Sequence, residues 1–279
     1  MIVKASPAKV NLTLRVFGKR EDGYHEILSL MQRISLCDEM VFSPGARGIT
    51  IRCPDSRLPE DENNIVYRAA TAFYSRIAAP PEVEITIRKQ IPVAAGLGGG
   101  SSNAATTLMT LNELAGSPLG REELLGLGAK LGADVPFFIF GAAVWVGGIG
   151  DRMLESAALP PLWFVLVNPG FEVSTRSVYQ GLNLGLTIGR INYSIPRFST
   201  AGEVIRSLTN DLEQVTLKMH PLLDRIKSRL RDAGAEGALM SGSGPTVFGV
   251  FTDEAGAVRA ERRLRQEERS WSVFGARSL

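Results

Sequence analysis

The sequence predicts an α+β protein of two domains, and three observations point there. At 279 residues the chain exceeds what one hydrophobic core usually organises. Period-two and period-3.6 apolar patterns alternate along it, so strands and helices are mixed. Beyond a small-residue, double-proline stretch at 155–161, the order reads strand, helices, two strands, helix, strand. That stretch is the boundary, with a first domain at 1–155 and a second at 162–279.

The first strand is read at 10–17, VNLTLRVF, where apolar and polar residues alternate before the turn GKREDG at 18–23. Residues 24–36 carry Ile27, Leu28, Leu30, Met31, Ile34 and Leu36, a spacing that suits either a helix or a strand. Short strands at 40–42 and 49–51 flank a turn at Pro44 and Gly45. Residues 64–77 read as a helix with Ile65, Ala69, Ala72, Phe73 and Ile77 on one side, capped by DENN at 61–64. A half-buried strand follows at 83–88. Residues 103–114, rich in Ala and Leu without Pro or Gly, form the next helix, and 121–131 another, weakened by Gly126 and Gly128. GADVP at 132–136 interrupts the pattern before the apolar FFIF at 137–140, and 142–146 reads as a strand ending at Gly147 and Gly148.

In the second half, 163–167 is a buried strand by composition and 174–181 a helical segment. Residues 185–200 show little period and read as loop, while 201–208 and 211–215 look helical. An amphipathic helix at 220–232 places Leu222, Leu223, Ile226 and Leu230 at helical spacing and is closed by Gly234. A strand at 237–240, the tight turn SGSG at 241–244, a strand at 246–251, a helix at 254–267 and a strand at 270–276 complete a succession that suits a ferredoxin-like unit.

Composition excludes several classes. The 31 basic and 29 acidic residues are interspersed, leaving a net charge of +2, so no nucleic-acid partner is expected. The arginine cluster at 261–269 is laced with glutamates and reads as a solvated helix face. Cys37, Cys53 and two histidines offer no metal or redox spacing, so a zinc site is not expected. The start, MIVKASP, lacks the apolar core of a signal peptide. The apolar run at 135–150 is broken by glycines and falls short of the roughly 20 residues a membrane span needs. A cytoplasmic location without a membrane partner is the expectation.

Chemistry concentrates in PVAAGLGGGSSNAA at 92–105, set between a strand and a helix. Four glycines in five positions leave backbone N–H groups bare, and the positive end of the following helix dipole adds to their pull on an anion. No lysine follows the glycines as a Walker A loop requires. The ribose-reading acid of a dinucleotide fold and the protein-kinase motifs are missing too. The residues alone therefore read as a phosphate site and leave the anion open.

The loop resembles the ATP loop of the galactokinase, homoserine kinase, mevalonate kinase and phosphomevalonate kinase (GHMP) superfamily. PAKVNLTL at 7–14, GKREDGYH at 18–25, LGADVP at 131–136 and SGSGPTVF at 241–248 extend the resemblance, in the right order, over nearly the whole chain. The DGYH segment narrows it to members whose acceptor is a cytidine-diphosphate-linked methylerythritol of the non-mevalonate isoprenoid route. The resemblance implies a first domain like domain 2 of ribosomal protein S5 and a ferredoxin-like second domain. It implies transfer of the γ-phosphoryl of ATP to the 2-hydroxyl of that small molecule, with Mg²⁺ accompanying ATP.

Residue by residue, it makes Asp134 the base and Lys9 its cationic companion. ATP would lie on Pro92, Val93, Ala94, Ala95, Gly96, Leu97, Gly98, Gly99, Gly100, Ser101 and Ser102, with Asn64 and Lys89 on the adenosine side. Ser102 is a candidate magnesium ligand, and no acidic ligand is named. Tyr24 and His25 would recognise cytosine, closed from the other side by Tyr179 next to Thr175, where the family often has Phe. Asn11, on the strand face of Lys9, and Gly242, with Ser243 and Gly244, would meet the polar part of the substrate. Two other readings are a superfamily kinase acting on mevalonate or homoserine, which needs no aromatic clamp, and a silent ligand-binding member. The presence of both Lys9 and Asp134 counts against the silent member.

Overall fold

The computed structural model describes residues 1–54, 56–184 and 193–279. The chain forms two compact units, one of Met1–Ala8, Cys37–Val93 and Gly98–Gly141, the other of Lys9–Leu36, Ala94–Leu97 and Ala142–Leu279. Two long strands, β1 (Ile2–Lys19) and β2 (His25–Pro44), contribute residues to both. The segment at 24–36 that suited either state is strand. Its ambiguity has a cause: residues 27–32 are all buried, and a strand covered on both faces shows no alternation.

In the first unit, β3 (Gly48–Arg52) runs parallel to β4 (Glu82–Arg88), which pairs antiparallel with residues 39–44 of β2. Four helices join them: α1 (Ile65–Ile77), α2 (Gly99–Leu114), α3 (Arg121–Leu131) and α4 (Val135–Phe140). Helix α2 begins four residues earlier than composition suggested. Glycines and serines are poor helix formers, and here packing overrides propensity, with Ala104, Ala105, Leu108 and Leu111 buried. Helix α3 keeps its expected span despite its glycines. A Cβ on Gly128 would stand 3.1 Å from both Val135 and Ile139, so this glycine lets α3 approach α4. The apolar FFIF that followed the interruption is α4.

In the second unit, β5 (Ala143–Gly147) pairs antiparallel with residues 29–32 of β2 and with β6 (Arg152–Ser156). Strand β6 overlaps the start of the expected boundary stretch, whose small residues and prolines had hidden it. The chain continues through β7 (Trp163–Asn168), α5 (Thr175–Gln180), α6 (Ala201–Arg206), β8 (Thr209–Asn210), α7 (Glu213–Met219) and α8 (Leu222–Asp232). It ends with β9 (Gly237–Met240), β10 (Val247–Phe251), α9 (Glu254–Glu267) and β11 (Ser272–Arg277). Residues 185–192 of the expected loop at 185–200 lie outside the described residues.

The antiparallel order β11-β7-β10-β9, with its helices, is a ferredoxin-like α+β unit. Its core joins Val165, Val167, Leu223, Ile226, Leu230, Val247, Phe251 and Leu264. The helix expected at 211–215 starts later because residues 209 and 210 pair in parallel with Thr13 and Leu14 of β1. Asp211 extends that pairing: its N–H donates to Leu14 O (2.9 Å) and its carboxylate accepts from Val16 N (2.8 Å). Among the described residues no helix is long and apolar enough to cross a membrane.

Candidate active site

The glycine loop turns sharply before α2. Ala94, Gly96 and Gly98 have φ of 51°, 77° and 69°, in the left-handed region. Ala95 and Leu97 are buried and anchor the loop, while Val93 is half exposed. Gly96 is required twice, for its φ and because a Cβ there would lie 2.2 Å from Ser241 O. Ser241 Oγ in turn donates to Gly96 O at 3.0 Å, and Lys9 N donates to Leu97 O at 2.9 Å. Gly98 then caps α2, whose first turn carries no acidic residue. The N–H groups of Gly99, Gly100 and Ser101 have no intrahelical acceptor, which is the arrangement an anion meets at a helix start. Gly96→Ala is accordingly expected to raise the KM for ATP at least about tenfold, since a strained φ and a backbone clash cost about 1–3 kcal/mol or more. Initial rates at varied ATP check this.

A buried polar network lies under the start of α2, and sequence reading missed its centre. Asp38 is fully buried on β2; its Oδ1 accepts from Gln90 N (2.8 Å) and Ile91 N (2.9 Å), and its Oδ2 accepts from Asn103 Nδ2 (3.0 Å) and from Lys89. Lys89 Nζ also donates to Asn103 Oδ1 (3.2 Å), and Asn103 Nδ2 to Ser6 Oγ (2.9 Å). Ser6 Oγ donates to Ser102 Oγ at 2.8 Å, and Ser102 is fully buried. Lys89 is thus held within the protein rather than extended. Asn64, expected on the adenosine side, caps α1: its Oδ1 accepts from Val66 N (2.9 Å) and its Nδ2 donates to Pro59 O (2.7 Å). An acid amid the apolar residues of 36–42 was the available signal for Asp38.

Lys9 and Asn11 point to one face of β1, as residues two apart must. Lys9 Nζ donates to Asn11 Oδ1 (2.6 Å), and Asn11 Nδ2 to Ser29 Oγ (2.8 Å); both residues are buried. Gly242 stands beside them: a Cβ there would be 3.5 Å from Asn11 Oδ1 and 3.4 Å from Gly96 O. The turn at 241–244 is held by Asn210, whose Nδ2 donates to Met240 O and Gly242 O at 2.8 Å each. Asn210 and Asp211, for which the sequence offered no role, are scaffold. Asp134 occupies the N-cap position of α4, half-buried, yet its side chain caps no first-turn N–H; Val135 N donates to Gly132 O instead (3.1 Å).

Four of the expected substrate residues meet at one cavity of about 650 Å³: Tyr24, His25, Thr175 and Tyr179, joined by Lys19 and Arg176. The rings of His25 and Tyr179 lie 5.1 Å apart at 32°. Tyr24 is 60% exposed, leaving a ring face for a ligand. Partial burial, then the charge of Lys19, pushes the His25 pKa below its ordinary value and so favours the neutral imidazole, which has one nitrogen to donate and one to accept. Thr175 Oγ1 bonds Ser243 Oγ at 2.7 Å, tying the start of α5 to the glycine turn at 241–244.

Models of the GHMP kinases N terminal domain and GHMP kinases C terminal match residues 64–142 and 194–269. A protein of Syntrophus aciditrophicus (strain SB), named 4-diphosphocytidyl-2-C-methyl-D-erythritol kinase, is 56% identical over all of both chains. The chain belongs to the GHMP kinase family. A protein of the same name from Syntrophotalea carbinolica is 52% identical over 96% of each chain. The crystal structure of a 4-(cytidine 5'-diphospho)-2C-methyl-D-erythritol kinase superposes with a TM-score of 0.82 at 35% identity, covering 99% of each chain. A homoserine kinase from Cytophaga hutchinsonii, 20% identical with a TM-score of 0.72, shares the fold. As a GHMP kinase, the chain is a small-molecule kinase that uses ATP as co-substrate.

The described residues do not build a magnesium cage. Among those described, no three or more His, Cys, Asp or Glu side chains group to hold a metal, and the Ser102 hydroxyl is already bonded to Ser6. The donor set suits an ion that arrives on the triphosphate and keeps most of its water.

Proposed function

We propose that this GHMP kinase transfers the γ-phosphoryl group of ATP to the 2-hydroxyl of 4-diphosphocytidyl-2-C-methyl-D-erythritol, in the non-mevalonate isoprenoid pathway. The cavity joining Tyr24, His25, Thr175 and Tyr179 is the observation that carries the reading. An acceptor without a pyrimidine, such as mevalonate or homoserine, has no use for it. The high identity to relatives bearing the kinase's name, over the full chain, supports the same acceptor.

Phosphoryl transfer asks for positioning and charge stabilisation more than covalent help. The N–H groups from Gly96 to Ser101 hold the triphosphate, with Ser102 closing the first turn behind them and Pro92, Val93, Ala94 and Ala95 shaping the entry to the loop. Asn64 and Lys89 belong to the adenosine side by position, Lys89 through the network that fixes α2. Asp134 takes the proton of the 2-hydroxyl as its oxygen attacks the γ-phosphorus and the bond to the departing ADP oxygen breaks. Lys9, aimed by Asn11, offsets the developing negative charge. Magnesium, carried by ATP, supplies further charge neutralisation. Neutral His25 reads the cytosine edge, Tyr24 and Tyr179 cover its faces, and Thr175 and Gly242 border the polar tail. The division at 1–155 and 162–279 and a cytoplasmic location belong to this reading; the two family matches fall on either side of that boundary.

Tyr24→Ala is expected to weaken the cytidylyl substrate by about 1–3 kcal/mol, the worth of one base stack, and to leave ATP affinity unchanged. Titration calorimetry with each ligand checks it. The function itself is tested by offering the protein, with magnesium and ATP, the cytidylyl substrate, mevalonate and homoserine in turn. ADP release with the cytidylyl substrate alone is expected. Release only with mevalonate or homoserine removes the proposal, and release with none makes the chain a ligand-binding protein.

A further inference from the structure

The turn that carries Tyr24 and His25 is tied down by a residue far along the chain. Within the turn, Arg20 N donates to Tyr24 O (2.7 Å) and Gly23 N to Arg20 O (3.0 Å). Tyr24 N donates to Asp22 Oδ1 (3.1 Å), and Arg20 Nε to Asp22 Oδ2 (3.1 Å). Arg20 reaches past His25 to Glu26 Oε2 at 2.9 Å. The other carboxylate oxygen of Glu26 accepts from the hydroxyl of Tyr193. A run of hydrogen bonds thus leads from Tyr193 through Glu26, Arg20 and Asp22 to the backbone of Tyr24.

The Tyr193 hydroxyl has a second tie, accepting from Gly148 N at 2.9 Å, and Gly148 O accepts from Ile27 N at 2.8 Å. The loop closes on β2 just after His25. Its ring is seated by shape as well: a Cβ on Gly147 would fall 2.7 Å from Tyr193 Cε2, and Phe17 lies beside the ring with centroids 6.0 Å apart. Glu26 is mostly buried, its side chain 14% exposed, so its charge needs both partners.

We infer that Tyr193 is a positioning residue for cytidine recognition, its hydroxyl and ring locking the turn at 20–24 and so placing Tyr24 and His25 for the base. The inference rests on the proposed acceptor for its functional consequence and on this geometry for its structural one. Tyr193 does not line the cavity of Tyr24 and His25; it acts through Glu26.

Two variants test it by different routes. Tyr193→Phe keeps the ring and removes the hydroxyl. Gly147→Ala, at a backbone position outside the left-handed region, keeps the hydroxyl and pushes the ring off its seat. Each is expected to raise the KM for the cytidylyl substrate about fivefold to tenfold, the scale of one ordinary net hydrogen bond, while kcat and the KM for ATP stay within about twofold. In the ligand-free protein, hydrogen exchange is expected to quicken at residues 20–27 and to stay unchanged at 98–104. A KM for the cytidylyl substrate that does not move, or a KM for ATP that rises with it, overturns the inference. If the unmodified protein fails to turn over the cytidylyl substrate, the proposed acceptor falls, and exchange still decides the latch: equal protection at 20–27 in both variants overturns it.

Discussion

Asp134→Asn is expected to lower kcat about 10²–10⁴-fold, the usual worth of a positioned general base. The affinities for ATP and for the cytidylyl substrate should stay within about threefold, because the amide keeps the carboxylate's shape and removes its charge and its capacity to take a proton. Capping, the local role an acid could have at this position, is not what Asp134 does. It sits at the N-cap of α4 and bonds to no first-turn N–H group, so its replacement orphans no cap. Single-turnover phosphoryl transfer, measured beside equilibrium binding of each ligand, separates the two effects. Near-normal turnover in Asp134→Asn would remove it as the base and leave positioning by the loop as the main source of rate.

The second large effect is on stability. Asp38→Ala is expected to cost about 3–5 kcal/mol, because it breaks a buried ion pair from one side. Lys89, its side chain 9% exposed, would keep only Asn103 Oδ1 as a partner, and the N–H groups of Gln90 and Ile91 would lose their acceptor. For a chain of this size each kcal/mol moves the melting temperature by roughly 2–4 °C, so a fall of about 6–20 °C is expected. Asp38→Asn should cost less, since its carbonyl oxygen can still accept from the two backbone groups. Thermal unfolding followed by circular dichroism reads both; a fall under about 2 °C in Asp38→Ala contradicts the account of the network. The same change should loosen the first turn of α2, since Asn103 is held by Asp38, and so raise the KM for ATP.

Much of this was legible in the sequence where local pattern and local chemistry agree. Helices α3 and α9 and strand β9 fall on their expected bounds, α9 because its apolar spacing and its Asp253 cap say the same thing and α3 despite its glycines. The start of α2 was misplaced because packing of its apolar face holds its glycines and serines helical against their own propensity. Strand β2 was ambiguous because burial on both faces erases its period. Tyr24, His25, Thr175 and Tyr179, expected from motifs to meet the substrate, do line one cavity. The residues that hold them, Glu26 and Tyr193, and those under the ATP loop, Asp38 and Ser6, were not named. Their partners lie up to 167 positions away in the chain, and no local pattern encodes such a pairing. Asn64 shows the opposite case: its adenosine-side role came from resemblance, while the local capping signal gave the contact the structure makes.

The central claim is which oxygen receives the phosphoryl group. The most direct test is phosphorus and carbon NMR of the product formed from ATP, magnesium and the cytidylyl substrate. The account predicts one new phosphomonoester whose phosphorus couples to the methyl-bearing quaternary carbon, C2 of the erythritol. A phosphomonoester on any other hydroxyl, or ATP consumed to inorganic phosphate with the acceptor unchanged, would contradict it.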